Sequence, residues 1–506
     1  MLLGLHPLWL HAQGEWSLIF DPVPSKVAVY DALELPSGRF VLSLVSHTSN
    51  MFLGAPITRT WVVGVSETGG QEGLSELTSG MDRSVWVPQL VQHADDKLTA
   101  LAMTWYHPTL SAYDITRYTL GLDGALLGAT SFVLDDDSER IWIRNVSLLD
   151  GGELYVAGGL VVEGSTVPNR LLLVRIDSDG PEFQASVQGS GPGIRIGHHA
   201  LSVDGTVLAS IEGGGPDIGP SGFAKYLRFD DNFNVVGGFA MTSLSGTGNL
   251  VPPDSVLKDC MYMTLLEGDT IISSGRYNPI SSGMRAALIR LAPDGAYAGM
   301  FLPSGAFFQE GPAGIQGHDL TPDGKLLFAR IENFFTGPPN YEVGVAPSRV
   351  RVYRLDTLLN VECEFLLDGF EDNAYYYLMR IKAASDGGAL LMGSRRDLNT
   401  MEQPRGWIMK LGPDQCYTGL GEHPVYGESQ LYPNPGSDGF TLLLNGPVLR
   451  RGRLLLYDAQ GREVAEYPIN QSVAQVDARH LSSGMYLYRV LDPTGVPVDA
   501  GRWIKE

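Results

Sequence analysis

A unit of two apolar runs joined by a tight polar turn occurs seven times along this chain, at intervals of roughly 55–63 residues. The seven turns are Pro36-Ser37-Gly38, Asp95-Asp96-Lys97, Asp150-Gly151-Gly152, Asp204-Gly205, Glu267-Gly268-Asp269, Asp323-Gly324 and Asp386-Gly387. A third apolar run follows in each unit, at residues 61–65, 115–120, 171–176, 225–229, 287–291, 350–355 and 407–411, and a short fourth run comes after most of them. The repeat therefore predicts seven groups of four short antiparallel strands.

Such a group cannot bury both of its faces alone, so neighbouring groups must stack on one another. The sequence thus predicts an all-β protein in which residues 13–421 form a seven-bladed β-propeller. A two-sheet sandwich is the competing architecture, but it does not explain the sevenfold count. The seventh unit is short after Tyr417, whereas residues 15–21 resemble a fourth strand more than a first. We therefore predict that the segment 16–20 completes the last blade and closes the ring.

The first twelve residues, MLLGLHPLWLHA, are apolar and end in a small residue, although no basic segment precedes them. We interpret residues 1–12 as a truncated or mis-started signal peptide. A genuine first strand is the alternative, and Pro7 disfavours it.

Charge and cysteine content restrict the partners and the covalent structure. The chain has 36 Lys and Arg against 57 Asp and Glu, a net charge of −21, which repels phosphate backbones and makes a nucleic acid partner unexpected. No apolar run approaches the roughly 18 residues of a membrane span, so we expect no transmembrane segment. We also expect the protein to be a monomer. Cys363 and Cys416 lie in neighbouring repeats and could pair in an oxidising compartment, which would leave Cys260 over.

The last part of the chain, after a linker at 422–429, alternates apolar and polar residues in short runs at 453–457, 473–477 and 485–490. Turn signals at Asn434-Pro435, Asp458 to Gly461 and Ser483-Gly484 separate these runs. About six strands in some eighty residues predict a small β-sandwich over 430–506.

Three segments of this region also carry a family resemblance. LYPNP (431–435), LLLYDAQGREV (454–464) and LSSGMYLYRV (481–490), together with a basic tail, resemble the C-terminal sorting domain of type IX secretion cargo from Bacteroidetes. The resemblance implies export by the type IX machinery and a secreted or outer-membrane cell-surface location in a Gram-negative bacterium. The residues that match the family's motifs are Tyr432, Pro433, Asn434, Pro435, Gly461, Gly484, Tyr486 and Lys505. An ordinary accessory β-sandwich is the alternative.

A ligand site is expected on one particular face of the repeat region. The turns between first and second strands are tight, whereas the loops between second and third strands are long in all seven units. We call the face that carries these long loops the loop-rich face. Binding groups concentrate on loops that a rigid scaffold holds. Aromatic rings there would suit a glycan or a protein ligand. The candidate contacts are Trp105, Tyr106, His107, Tyr277, Phe334, Arg395 and Arg396. The alternative is that these side chains pack one loop against another.

Chemistry near the propeller axis would need convergent groups. His198-His199 and His318-Asp319 occupy equivalent places before the turns of the fourth and sixth units, on strands that we expect to be innermost. Neighbouring strand residues point to opposite faces, so at most one of His198 and His199 faces the channel. Packing between blades is the alternative to a catalytic or metal-binding role.

No cofactor is expected from the motifs. Asp135, Asp136, Asp137 and Glu139 could hold calcium, but they lack an EF-hand spacing, and a solvated acidic turn is the competing interpretation. The sequence has no metal, nucleophile-elbow or phosphate-loop signature. Two hypotheses therefore stand: a binding protein, or a hydrolase or lyase acting on polysaccharide or peptide at the channel mouth.

Overall fold

Short antiparallel strands make up nearly all of the regular structure, as the alternating apolar runs predict. The computed structural model describes residues 16–20, 26–47, 58–77, 83–94, 97–106, 113–133, 140–148, 153–161, 170–177, 181–185, 195–212, 225–240, 255–279, 285–303, 310–333, 346–400, 402–413, 430–443, 452–458, 462–469, 473–491 and 497–506. The chain divides into a repeat unit, Met1–Cys416, and a tail unit, Tyr417–Glu506.

The described part of the repeat unit contains seven antiparallel sheets, which we number in chain order. The chain enters through β1 (Trp16–Phe20). Sheet 1 contains β2 (Lys26–Glu34), β3 (Phe40–His47), β4 (Thr58–Val65) and β5 (Gln71–Glu76). Sheet 2 contains β6 (Arg83–Ala94), β7 (Lys97–Tyr106), β8 (Tyr113–Gly121) and β9 (Leu126–Val133). Sheet 3 contains β10 (Arg140–Leu148), β11 (Leu154–Val161), β12 (Arg170–Ile176) and β13 (Pro181–Ala185).

The remaining sheets repeat this order. Sheet 4 contains β14 (Arg195–Leu201), β15 (Val207–Glu212), β16 (Lys225–Phe229) and β17 (Val235–Ala240). Sheet 5 contains β18 (Ser255–Leu265), β19 (Ile271–Pro279), β20 (Arg285–Leu291) and β21 (Tyr297–Phe301). Sheet 6 contains β22 (Glu310–Pro312), β23 (His318–Leu320), β24 (Leu326–Glu332), β25 (Arg349–Leu355) and β26 (Val361–Asp368). Sheet 7 contains β27 (Ala374–Ala383), β28 (Ala389–Asp397) and β29 (Arg405–Leu411), with β1 as its fourth strand.

The turns between first and second strands have the predicted chemistry. Gly205 (φ 84°) and Gly324 (φ 78°) follow an aspartate and adopt a left-handed conformation that glycine reaches without steric cost. In the sixth sheet the first strand is interrupted, and its two pieces, β22 and β23, both pair with β24. The sequence pattern does not predict this interruption.

The segment 16–20 lies beside the last described strand of the repeat unit. β1 pairs antiparallel with β29, from Trp16 opposite Lys410 to Phe20 opposite Gly406. The first strand among the described residues is therefore the fourth strand of sheet 7.

The sheets stack through apolar cores, each formed by two consecutive sheets. Leu42 and Met392 share the core between sheets 1 and 7, and Val350 and Trp407 share that between sheets 6 and 7. Similar cores join sheets 1 and 2, 2 and 3, 3 and 4, 4 and 5, and 5 and 6. The first strands also contact one another in succession, and β27 of sheet 7 contacts β2 of sheet 1. The repeat unit is therefore a closed, propeller-like, all-β ring.

The tail unit is two sheets around one core. Its strands are β30 (Gln430–Tyr432), β31 (Gly439–Leu443), β32 (Gly452–Tyr457), β33 (Glu463–Ile469), β34 (Val473–Asp477), β35 (Gly484–Leu491) and β36 (Pro497–Lys505). One sheet has the order β30-β31-β34 and the other β33-β32-β35-β36. Phe440 of the first sheet packs against Trp503 of the second, with ring centroids 4.8 Å apart.

The structure describes only some of the other residues for which the sequence makes predictions. Cys363 is disulfide-bonded and Cys260 has a buried thiol, while the predicted partner Cys416 lies outside the described residues. Residues 1–12 and the acidic segment Asp135 to Glu139 also lie outside them. Among the described residues, no helix has the length and apolarity needed to cross a membrane.

Candidate functional site

A belt of polar and aromatic side chains follows the first strands of the seven sheets. Six of these strands have a described shift of register directly before such a residue. β-Bulges of this kind redirect a side chain. In the sixth sheet, whose first strand is interrupted, Gln316 and His318 occupy the equivalent position. We call the following residues the polar belt: Asp31, Gln89, Asn145, His198, Tyr262, Gln316, His318 and Arg380.

One part of the polar belt is ionic. The Oδ1 atom of Asp31 lies 2.6 Å from Nζ of Lys382 and 3.8 Å from Nε of Arg380. Arg380 also donates to the Tyr30 carbonyl at 2.7 Å and to Oε1 of Gln316 at 3.1 Å. These contacts join sheet 7 to sheets 1 and 6, so the charges serve to hold neighbouring sheets together.

The next part of the polar belt uses amides. The second carboxylate oxygen of Asp31 accepts from the Leu90 backbone N–H at 2.7 Å, which joins sheet 1 to sheet 2. Oε1 of Gln89 accepts from the Val146 backbone N–H at 3.0 Å and joins sheet 2 to sheet 3. Oδ1 of Asn145 then accepts from the His199 backbone N–H at 3.4 Å, which joins sheet 3 to sheet 4.

The last part of the polar belt is a row of rings. His198 lies 4.0 Å from Tyr262, and Tyr262 lies 5.0 Å from His318, between ring centroids. Nδ1 of His318 is hydrogen-bonded to Oγ of Ser274 at 2.9 Å. His199, the other member of the histidine pair, faces the opposite neighbour, since its ring lies 6.2 Å from Tyr155 of sheet 3.

Burial controls the protonation of these histidines. It lowers the pKa of His199 and of His318 to about 3, and it lowers the pKa of His198 well below its usual value. A general base works best when its pKa lies near the operating pH, so these rings are poorly suited to that role. Asp319 is also engaged, because its carboxylate accepts from the backbone N–H groups of Leu320 at 3.0 Å and Ala383 at 2.8 Å.

Metal ligands do not converge in the part of the chain that the structure describes: no three His, Cys, Asp or Glu residues there form a group able to hold a metal ion. Asp31, His198 and His318 of the polar belt instead contact residues of adjacent sheets. Their described arrangement is that of a scaffold.

The loop-rich face is described mainly in sheets 6 and 7. Trp105 and Tyr106 lie in β7 and Tyr277 lies in β19, but the structure does not describe their side chains. His107 and Phe334 lie outside the described residues altogether. The proposed contacts of these five residues remain predictions.

Arg395 is 6% exposed and does not present a free guanidinium to a ligand. Its Nη2 atom donates to Oδ2 of Asp372 at 2.9 Å, and its Nε atom donates to the Tyr376 hydroxyl at 3.2 Å. Burial raises the pKa of Tyr376, whose hydroxyl donates to the same carboxylate oxygen at 2.7 Å. Arg396 donates from Nε to the Glu402 carbonyl at 3.0 Å.

An exposed aromatic residue on this face was not selected by sequence reasoning. Phe370 lies in the connection from sheet 6 to sheet 7 and is 48% exposed. The Arg349 guanidinium carbon lies 4.7 Å from the centroid of this ring, and Nε of Arg349 is 3.0 Å from Oδ2 of Asp368. In the sequence, this residue is the one aromatic residue of the acidic turn DGFED. The turn belongs to a short connection, whereas the candidate contacts were sought in the long loops.

The sorting-type motifs of the tail unit contact one another. Asn434 donates from Nδ2 to the Arg502 carbonyl at 3.0 Å and accepts at Oδ1 from the Ile504 N–H at 3.0 Å. The bonds that precede Pro433 and Pro435 are both cis. Trp503 is fully buried and donates from Nε1 to the Pro433 carbonyl at 3.1 Å. The LYPNP segment is thereby fixed against the last strand, β36.

The other motif residues support this arrangement. Lys505 is 8% exposed, and its ammonium donates to the carbonyls of Ala478 at 2.6 Å, Arg479 at 3.2 Å and Leu481 at 2.7 Å. Tyr486 donates from its hydroxyl to the Ser482 carbonyl at 2.7 Å. Gly484 begins β35 at a φ of 157°, Tyr432 is 53% exposed, and Gly461 lies outside the described residues.

The tail unit is thus a small two-sheet module whose terminal strand is held by a proline-rich motif. The family model for the secretion system C-terminal sorting domain matches residues 430–498, which confirms that these residues are a type IX sorting domain. The protein is therefore directed to the cell surface or the extracellular space of a Bacteroidetes bacterium.

Similarity to solved structures extends over most of the chain, at low identity. PorZ, a surface component of the type IX secretion system of Porphyromonas gingivalis, is 12% identical over 98% of this chain and 84% of its own, with a TM-score of 0.23. The NanB sialidase of Streptococcus pneumoniae is 12% identical over 81% and 71%, with a TM-score of 0.41. The polysaccharide lyase Uly1 is 10% identical over 78% and 90%, with a TM-score of 0.42. Similarity at this level does not identify an activity, and no curated protein that was compared matches the chain.

Proposed function

We propose that this protein is an exported seven-bladed β-propeller that binds a glycan or a protein ligand through its loop-rich face. The seven sheets would be the seven blades, with β1 as the closing strand. The cores between consecutive sheets and the succession of contacts between first strands support this count. The sorting domain accounts for export, and the repeat unit would provide the binding function.

The polar belt favours binding over chemistry at the axis. Asp31, His198 and His318 make contacts between sheets, and the low pKa of His318 and of the adjacent His199 keeps these two rings neutral and weakly basic at neutral pH. A hydrolase or lyase would need at least one acid or base near the operating pH. The described residues of the belt therefore fit a rigid scaffold for the loops above it.

The exposed ring of Phe370 is the observation that carries the proposal. It stands on the loop-rich face with the Arg349 guanidinium over it, and Asp368 fixes that guanidinium. An aromatic face offers a large contact area at a small entropic cost, and it suits the apolar face of a sugar as well as a peptide side chain. The arginine and the neighbouring carboxylate would supply polar contacts beside it.

The test uses the purified full chain in a screen against polysaccharides, oligosaccharides and peptides, with melting shift and product release measured together. Phe370→Ala should abolish the melting shift of any ligand found. The matched control is Leu358→Ala, since Leu358 is 62% exposed in a tight turn between β25 and β26. A shift that Phe370→Ala leaves intact would place the site elsewhere, and product release would overturn the binding-only function in favour of a hydrolase or lyase.

A further inference from the structure

The larger sheet of the tail unit has one buried face and one exposed face. Tyr486, Tyr488 and Trp503 point into the core, whereas Leu487 is 44% exposed and Met485 is 47% exposed on the other side of β35. These residues alternate along the strand, as expected where only one face is covered. The exposed residues nevertheless include large apolar side chains, which is unusual for a face in contact with water.

These apolar side chains are adjacent in space. Met485 lies opposite Ile504, which is 41% exposed, in the pairing of β35 with β36. On its other side, Leu487 lies opposite Tyr457 in the pairing of β32 with β35. The four residues therefore form one continuous apolar patch across three strands, and patches of this kind mark interaction sites.

Arginines border the patch. Arg502 lies opposite Leu487 on β36, and the Arg489 guanidinium carbon lies 5.9 Å from the centroid of the Tyr457 ring. Arg453 lies further along β32, 3.4 Å from the carboxylate of Glu466. We call the apolar patch with these three arginines the basic outer face. An apolar centre with an arginine-containing rim is the usual composition of a protein-binding surface.

The charge of this face differs from that of the rest of the chain. Residues 1–416 have 28 Lys and Arg against 47 Asp and Glu, whereas residues 417–506 have 8 against 10. On the face itself, the three arginines stand against Glu466 and against Glu463, which lies opposite Tyr457, so the basic outer face has a small excess of positive charge in an acidic chain. It would attract a partner with an acidic rim, and it would repel one as basic as itself.

We propose that the basic outer face is the surface through which the sorting domain docks on an acidic protein surface of the type IX secretion machinery. An anionic lipid would favour a denser cluster of four or more basic side chains, whereas this face combines three arginines with a central apolar patch. A sorting domain must be recognised by the export machinery, and that requirement supplies the partner. The proposal does not depend on ligand binding by the repeat unit.

The first test is export of the full chain in a Bacteroidetes strain with an active type IX system. Leu487→Glu places a carboxylate at the centre of the patch and should lower the exported fraction about tenfold or more, with accumulation in the periplasm. The matched control is Val473→Glu, because Val473 is 46% exposed on the other sheet of the tail unit. Equal export of Leu487→Glu and the control would overturn the proposal.

Charge reversal separates docking from folding. Arg489→Glu and Arg502→Glu leave the apolar patch intact, so they should reduce export while the melting temperature of the purified full chain stays unchanged. A photo-crosslinker at position 485 should then form an adduct with a known component of the secretion machinery, and one at position 473 should not. Adducts with lipopolysaccharide or with a second copy of the chain would assign the face to those partners and overturn the proposal.

Discussion

Asp31 and Lys382 form a buried ion pair, with 2.6 Å between Oδ1 and Nζ, that joins the first sheet of the repeat unit to the last. Asp31 is fully buried, and Arg380 lies 3.8 Å from the same oxygen. One carboxylate thus compensates two cations at the place where the ring closes. Removing one member of such a group costs more than the pair itself contributes, because the remaining charges stay buried without compensation.

Asp31→Asn should therefore lower the free energy of unfolding by about 3–5 kcal/mol. Urea unfolding of the full chain, followed by tryptophan fluorescence, measures this change. Glu72→Gln is the control, since Glu72 pairs with Arg39 at 2.6 Å with both side chains about one third exposed, and its loss should cost less than about 1 kcal/mol. Similar losses for both variants would contradict a role of Asp31 in closure.

Deleting residues 14–21 should abolish cooperative unfolding of the repeat unit. The deletion removes β1, and with it Leu18 and Phe20 from the core between sheets 7 and 1 and Ile19 from the core between sheets 6 and 7. Calorimetry of the full chain is the measurement. A deletion of equal length at residues 4–11 serves as the control, and an unchanged melting temperature after removal of 14–21 would disprove closure by this strand.

The buried histidines should make the protein less stable in mild acid. In the fold the pKa of His199 and of His318 is about 3, whereas an unfolded chain has a histidine pKa of about 6.5. Unfolding therefore takes up protons below pH 6.5, so their contribution is complete above pH 6.5 and declines as the pH falls towards 3. Each ring should add a slope of up to about 1.4 kcal/mol per pH unit in this window.

Urea midpoints of the full chain between pH 7.5 and pH 5 measure this slope. His199→Phe keeps a ring beside Tyr155 and removes one titrating group, so it should flatten the dependence. His480→Gln, at an exposed position of the tail unit, should leave it unchanged. A wild-type midpoint that stays constant over this range would show that the histidines do not limit stability.

Lys505→Met should loosen the tail unit. The substitution leaves the carbonyls of Ala478, Arg479 and Leu481 without the ammonium that they share, at a cost of about 2 kcal/mol or more. Hydrogen exchange of peptides from the tail unit should become about thirtyfold faster in the slowest amides. The control is Arg502→Met, which removes the same charge at an exposed position of the same strand. Equal exchange rates in the two variants would rule out that the Lys505 ammonium stabilises the tail unit.

Much of the fold follows from local pattern. Runs such as that of β2, with an aspartate- or glycine-containing turn after them, specify hairpins, and the fourth-strand character of residues 15–21 predicts the pairing of β1 with β29. The sorting domain was recognisable because its motifs are contiguous. These features depend on residues close in sequence or on a count of repeats, both of which can be read without coordinates.

The polar belt could not be predicted in the same way. Its members reach neighbouring sheets because bulges redirect them, and a bulge changes the register without leaving a clear mark in an alternating sequence. The sequence predicts Arg395 as a ligand contact because it begins the long loop between the second and third strands of the seventh unit. Its burial depends on Asp372 and on Tyr376, two residues that lie in another connection or strand and meet it only in the folded sheet.

The pairing of β1 with β29 also sets an order of events during synthesis. The strand at residues 16–20 leaves the ribosome almost four hundred residues before its partner at residues 405–411. At about 5–20 residues per second, the early strand waits roughly 20–80 s before it can pair. The ring therefore cannot be sealed until the whole repeat unit has been made, which leaves an interval in which the nascent chain is still open.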